Sequence, residues 1–395
     1  MDKLDHLPPL PLLVDYRHLS YGAGILTEQD ELGIYHALRL HGRVRRIELE
    51  LPPSILRRVV VLMGEHFSIL EHLSLSFTAY SGICLPLILP KAFRAPNLRH
   101  LALPSITPLR RLWVLTSSDS LVKLELIKIG TSSYFRPRLL VARLQSLSQL
   151  QELCIGFSTP ILHPSTEREL LHEQGAPVTL PSLKNLRFKG VGAYLESLVA
   201  QIRAPLLERL TVTFFNQFTL ALPHLFHLID TTGFKPPHMA VSFTHEMVAV
   251  TMGRSYETWS QVVFNLSVIC KPLDRQIDCA AQICHGLGLI PALSCVDILT
   301  LNLEYREKLT ELRNGEIDSA TWHELLRSFI GMKRLYIRKP LLEELSRALQ
   351  VDEVGSDPGF LPNLRYINAR RNLFTSFIDS GRVVGRPVQF SQWQF

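Results

Sequence analysis

The chain has 395 residues, 46% apolar and 20% charged, with a formal charge of +6 and a pI near 9.0. That composition belongs to a folded protein with a sizeable core and excludes a disordered chain. An excess of +6 over this length also falls well short of the dense basic patches of nucleic-acid binders. Six cysteines lie scattered without paired short spacings, which excludes a disulfide scaffold and points to reduced thiols in the cytoplasm or nucleus.

Residues 1–27 read as turn-rich and extended, broken by Pro8, Pro9 and Pro11, without the basic and apolar runs of a signal peptide. The most apolar stretches, Val59 to Met63 and Ile83 to Leu89, are too short to span a bilayer, so no membrane partner is expected. A helix is predicted from Glu28 to His41, with Thr27 and Asp30 at capping-box spacing. Residues 1–43 are therefore expected to cap one end of a repeat array that begins at Val44.

From Val44 one grammar recurs: an apolar residue, two variable residues, an apolar residue, one variable residue, an apolar residue. It reads Val44-Arg-Arg-Ile47-Glu-Leu49, then Leu70-Glu-His-Leu73-Ser-Leu75, and returns at Leu98, Leu121, Leu150, Leu183 and Leu207. The steps are 26, 28, 23, 29, 33 and 24 residues, near or just beyond the period of leucine-rich repeats. Residues two apart, such as Leu73 and Leu75, share one face of a short strand, and the first leucine enters the same core from the turn before it. Return helices are predicted at Ser54–Phe67, Pro137–Leu147, Ser165–Gln174, Val191–Ile202 and Leu222–Asp230. The grammar resumes at Val296, Met332 and Leu364. Several copies share a Pro-Xaa-Leu lead-in, as at Pro96-Asn97-Leu98 and Pro181-Ser182-Leu183, and ten copies exceed what a leucine-rich core gives by chance. The usual asparagine after the third apolar residue is absent, so the turns must satisfy their backbone in another way.

Residues 233–295 break the pattern. Met239–Phe243, Met247–Met252 and Val262–Val268 alternate as antiparallel strands do, and Asp274–Leu287 reads as a helix packing through Ile277, Ala280, Ala281, Cys284 and Leu287. Thr321 and Glu324 have capping-box spacing at the start of a helix running to Ile330. The expected fold is an α/β leucine-rich-repeat solenoid, a curved parallel sheet with helices on the outer face, carrying an irregular strand-rich insert. The expected divisions are 1–43, a first repeat block at 44–232, the insert at 233–295, and the last repeats with a C-terminal cap at 296–395.

Catalytic chemistry is not visible. Tyr21-Gly-Ala-Gly24 lacks the third glycine or lysine of a phosphate loop and reads as a turn. The best metal candidate, Cys270, Cys279, Cys284, His285 and Cys295, has no C-x₂-C pair, and Cys279 and Cys284 diverge on a helix. These read as core thiols, so no metal, cofactor or enzymatic activity is expected. What remains is the strand face that the variable slots present. Its early part is mixed in charge (Arg46, Glu48, Glu50, His72, Lys123, Glu125). Its later part is basic with one aromatic: Arg187, Lys189, Arg209, Arg334, Tyr336, Arg338 and Arg370. Arg and Tyr anchor protein interfaces, so this later set is the candidate partner-binding strip.

The repeats, the Ala204-Pro-Leu-Leu-Glu-Arg-Leu run through Phe214-Phe-Asn-Gln217, the Trp322-His-Glu-Leu-Leu-Arg-Ser-Phe329 helix and Phe374-Thr-Ser-Phe-Ile-Asp379 together resemble the F-box/leucine-rich-repeat proteins expanded in mushroom-forming (basidiomycete) fungi. The resemblance covers roughly Leu10 to Val388. It implies a repeat domain that holds a substrate, joined to an N-terminal F-box that docks on the Skp adaptor of a cullin ubiquitin ligase. Here the chain enters its first repeat by Val44, and Leu7-Pro8-Pro9 does not open an F-box helix. The expectation is a non-catalytic scaffold that binds an unknown protein partner. A Skp-type adaptor would join only if an F-box is encoded upstream of Met1, giving a full substrate receptor. Nucleic-acid binding through the basic later strand face is the weaker alternative.

Overall fold

A computed structural model describes residues 10–17, 26–77, 88–104, 115, 118–130, 133–160, 176–217, 219–254, 262–304, 319–338, 341–342, 345–346, 361–368 and 388–390. The chain divides into two compact units, Met1–Leu207 and Glu208–Phe395. The helix expected at 165–174, the turn at 21–24, the 374–379 motif and Arg370 lie outside the described residues.

In the first unit the strands are β1 (Leu12–Arg17), β2 (Val44–Leu51), β3 (His72–Phe77), β4 (His100–Pro104), β5 (Lys123–Ile129), β6 (Glu152–Phe157), β7 (Val178–Thr179), β8 (Asn185–Gly190) and β9 (Ile202–Arg203). They form one parallel sheet in the order β1-β2-β3-β4-β5-β6-β8, while β7 and β9 pair separately. Helices α1 (Glu28–Arg39), α2 (Pro53–Leu62), α3 (Pro137–Leu144) and α4 (Gly192–Val199) occur within this unit. The capping box of Thr27 and Asp30 is present, with both reciprocal hydrogen bonds made.

The repeated leucines do what their spacing demands. Leu70, Leu73 and Leu75 are fully buried, as are Leu98, Leu101, Leu121 and Leu124. Burying three such side chains contributes very roughly 5–8 kcal/mol of gross apolar transfer per repeat, most of it offset by chain entropy. Neighbouring repeats must therefore share the core.

The turn that leads into these strands is held by backbone. In four successive repeats the two N–H groups after the first apolar residue both donate to one carbonyl of the preceding repeat. Arg99 and His100 donate to Glu71, Val122 and Lys123 to Arg99, Gln151 and Glu152 to Val122, and Lys184 and Asn185 to Gln151. The first apolar residue closes a tight turn onto the carbonyl three residues earlier, as Leu98 does to Ala95 and Leu150 to Leu147. Every such donor finds an acceptor without a polar side chain, which satisfies the demand that buried peptide groups be paired.

In the second unit the strands are β10 (Arg209–Phe214), β11 (His238–Phe243), β12 (Met247–Gly253), β13 (Val262–Ile269), β14 (Ile298–Leu303), β15 (Arg334–Ile337), β16 (Tyr366–Asn368) and β17 (Gln389–Phe390). Their order is β10-β13-β12-β11-β14-β15-β16-β17. The pairs β11–β12 and β12–β13 are antiparallel and the others parallel, so β12 alone runs against the rest. The three alternating segments after residue 233 are thus antiparallel strands, seated inside the repeat sheet between β10 and β14. The doubled backbone ladder also continues here: Lys333 and Arg334 donate to Asp297, and Arg365 and Tyr366 to Lys333.

Helices α5 (Pro223–Thr232), α6 (Leu273–Gly288), α7 (Pro291–Ser294) and α8 (Ser319–Arg327) belong to this unit. The α6 helix buries Ile277, Ala280, Ala281, Cys284 and Leu287, as its periodicity predicts. Its Gln276 side chain is buried and donates to the carbonyls of Thr244, Cys270 and Lys271, tying the start of the helix to two strand ends. Helix α8 begins at Ser319, so Thr321 lies inside its first turn and does not cap it. Both units have the α/β leucine-rich-repeat architecture: parallel strands carrying the repeated apolar triplets, with helical returns between them.

Candidate partner-binding face

Along each repeat strand, side chains alternate between the apolar core and an outward face. On β8, Leu186 and Phe188 are buried while Arg187 and Lys189 are exposed. On β10, Arg209 is exposed, and on β15 Arg334 is exposed and Tyr336 half-buried, with exposed Arg338 next after the strand. The predicted strip residues within the described regions all lie on or beside outward positions. Arg187 and Lys189 belong to the first unit, and Arg209, Arg334, Tyr336 and Arg338 to the second.

The outward face of the first unit carries its own compensation. Glu48 takes Arg17 at 2.6 Å and Arg46 at 2.5 Å, and Lys123 reaches Glu125 at 2.9 Å and Glu152 at 3.3 Å. Burial pushes the Glu48 carboxyl up, but hydrogen bonds from Arg46 and Arg17 outweigh it and hold the group below its ordinary value. Between these clusters His72 and His100, partners in register, bring their Nδ1 atoms to 3.3 Å.

Burial lowers the pKa of both imidazoles. Arg46 and His100 add to the effect at His72, and Lys123, Arg99 and Arg46 at His100; Glu48 and Glu152 oppose it only partly. Both rings are therefore neutral in the folded protein over a range where the unfolded chain already binds protons. Their contribution to stability is complete above the unfolded histidine value of about 6.5 and is lost as pH falls through that value toward the lowered folded ones. The melting temperature of the wild type should drop more between pH 7.5 and pH 5.5 than that of His72→Gln/His100→Gln. Equal drops would remove the pair as a source of acid sensitivity.

The second unit is organised differently. No carboxylate occurs in any strand from β10 to β17. Among the described residues, Arg209, Arg334 and Arg338 form no ion pair, whereas neighbouring Lys333 is held by Asp297 at 2.8 Å. His238 stands beside this cationic edge, since Ile298 is in register with both His238 and Arg334. Burial lowers its pKa and the Arg334 charge lowers it further, against Asp297.

Inside that edge lie residues outside the predicted strip. Ser242, Thr251, Ser267, Thr300 and Asn302 occupy the slots alternate to the apolar core, yet each is nine-tenths or more buried. Register sets Thr300 between Ala240 and Tyr336, and Asn302 beside Ser242. For Ser242, Thr251 and Ser267 the signal lay in the alternation of 238–269, whose outward slots hold Ala, Ser, Thr and Asn; Thr300 and Asn302 fall in the repeat that begins at Val296 and carried none.

The five described cysteines are free thiols. Burial pushes the Cys284 thiol well above its ordinary value. Among the described residues, no group of three or more His, Cys, Asp or Glu side chains is placed to hold a metal ion. No described helix is long and apolar enough to cross a membrane.

No family model matches this chain, and no curated protein matches it. Among solved structures it is similar to the leucine-rich repeat-containing protein LegL7 from Legionella pneumophila. The two are 16% identical, the match covers 82% of this chain and 89% of that one, and the TM-score is 0.31.

Proposed function

We propose that this chain is a non-catalytic repeat scaffold of the cytoplasm or nucleus that holds a protein partner against the outward strand face of its second unit. The observation that carries the reading is the uncompensated cationic face: eight strands without a carboxylate, with Arg334 and Arg338 beside Tyr336 and Arg209 five strands away on β10. Charged groups already paired within a chain have little left to offer a partner, whereas unpaired arginines beside an aromatic supply both steering and anchoring. The resemblance to F-box/leucine-rich-repeat proteins supports a finer version, in which the partner is a substrate presented to a cullin-type ubiquitin ligase.

Affinity capture with quantitative mass spectrometry tests both levels. Arg209→Glu/Arg334→Glu/Arg338→Glu should reduce recovery of the captured partner by about tenfold or more, while the melting temperature stays near that of the wild type. Unchanged recovery would overturn the assignment of this face. Co-capture of a Skp-type adaptor with its cullin supports the ligase role, and capture of the partner without them removes it. The same arginines favour one second reading, nucleic-acid binding. For three phosphate contacts it predicts a log–log salt slope of about −3.

A further inference from the structure

We propose that the trough between β11, β14 and β15 is a subsite for an extended, carboxylate-bearing peptide segment; the proposal rests on the protein-binding reading and names the chemistry of the partner. Its floor is made of short side chains. Ala240 lies between Thr251 and Thr300, and Ser242 lies between Ala249 and Asn302. Alanine at two outward slots keeps this floor low, as Ala102 does on β4, whereas Arg46, Glu48, Lys123 and Glu125 stand at such slots on β2 and β5. Ala240, and Ala249 on neighbouring β12, stay partly open to solvent beside the buried Thr300 and Asn302.

Two buried polar atoms in this floor have no hydrogen-bond partner: Thr300 Oγ1 and Asn302 Oδ1. Thr300 is 6% and Asn302 4% exposed. The Asn302 amide spends one N–H on Ser242 Oγ at a long 3.4 Å and leaves its carbonyl oxygen empty. Leaving such atoms unmet costs free energy in the unliganded protein, and an apolar isostere would remove that cost. An orphan amide oxygen asks for an N–H donor, which an extended peptide backbone presents at regular intervals.

The border specifies the rest. Arg338 sits beside Asn302, its N–H donating to the carbonyl of Leu301 at 3.0 Å, and Tyr336 is in register with Thr300. Arg334 lies on the same strand as Tyr336, and no strand of the unit supplies a carboxylate to neutralise either guanidinium. Planar guanidinium groups pair bidentately with carboxylates, so the border takes acidic side chains while the floor takes main-chain donors. The trough thus combines hydrogen-bond acceptors below with cations at the side. That set suits an acidic peptide better than a nucleic-acid strand, which needs phosphate contacts spread along its length.

The test uses the full chain and fluorescein-labelled (Gly-Glu)₅ by fluorescence anisotropy, with (Gly-Gln)₅ and a ten-nucleotide oligothymidylate as controls. The acidic peptide should bind at least about tenfold more tightly than either control. Asn302→Asp, which keeps the shape but adds a negative charge, should weaken it by about tenfold. Thr300→Val should weaken binding by about fivefold while raising the melting temperature, the opposite of what loss of a structural hydrogen bond would do. Equal binding of the glutamate and glutamine peptides, preference for the oligonucleotide, or indifference to both substitutions would overturn the subsite. If the subsite fails while the triple-arginine variant still loses its captured partner, the protein-binding reading stands. If that variant also loses nothing, both readings fall.

Discussion

Trp322→Ala should lower the unfolding free energy by about 3–5 kcal/mol, the range for removing a large aromatic from a packed core. Trp322 lies on α8, is 1% exposed, and meets Phe243 edge-to-face with ring centroids 6.0 Å apart. That contact joins a helix to the same β11 strand whose other face carries Ser242. The indole N–H of Trp322 has no hydrogen-bond partner, so the side chain stabilises through volume and ring packing alone. Trp322→Phe keeps an aromatic against Phe243 and removes the orphan donor, and it should cost under about 1.5 kcal/mol. Urea midpoints of the two variants decide the matter. A phenylalanine variant as unstable as the alanine variant would show that the pocket depends on the indole itself.

The second large effect is at Gly286. Glycine near the end of a helix ordinarily invites replacement, because alanine gains about 0.5–1 kcal/mol of helix propensity. Here the sign reverses. A Cβ on Gly286 would lie 2.1 Å from Cε2 and 2.4 Å from Cζ of Phe226, the residue with which α5 presses against α6. Phe226 is 8% exposed and has little room to retreat. Overpacking of this kind costs about 1–3 kcal/mol, and Gly286→Val, with a branched side chain at the same point, should cost about 3 kcal/mol or more. Pairing it with Phe226→Ala removes the clash, so the double variant should be less unstable than the sum of the two singles. A Gly286→Val protein as stable as the wild type would show that the two helices separate freely.

The frame was legible because it is periodic and buried. Leu73 and Leu75 had to share a face, and their counterparts at Leu101, Leu124 and Leu153 repeat the requirement until chance is no alternative. The antiparallel alternation after residue 233 was equally plain. The order of those strands was not, since a period of two tells which face a residue takes and is silent about its neighbours. Nothing in Val262–Ile269 announces that β13 pairs with β10 and that β11 reaches β14. The cationic slots could be read one by one, as at Arg209 and Arg334. Their lack of carboxylate neighbours becomes meaningful only when register shows which strands adjoin. The polar floor was hidden for another reason: Thr300 and Asn302 look like ordinary solvated slots in sequence, and only the folded chain shows them buried. Thr321 misled because a capping-box pair is a local signal, and the helix begins two residues before it at Ser319.

The lone reversed strand β12 has a consequence for how such a chain can change its length. In the first unit each strand is parallel to both neighbours, so a duplication or deletion of one repeat joins like to like. In the second, losing β12 alone would set β13 against β11 with no turn able to connect them. Losing β11, β12 and β13 together would bring β10 and β14 side by side in the same direction, the relation any two repeats have. The meander is therefore inherited or discarded as one piece. The polar floor, whose walls come from both the meander and β14, would be gained or lost in a single genetic step.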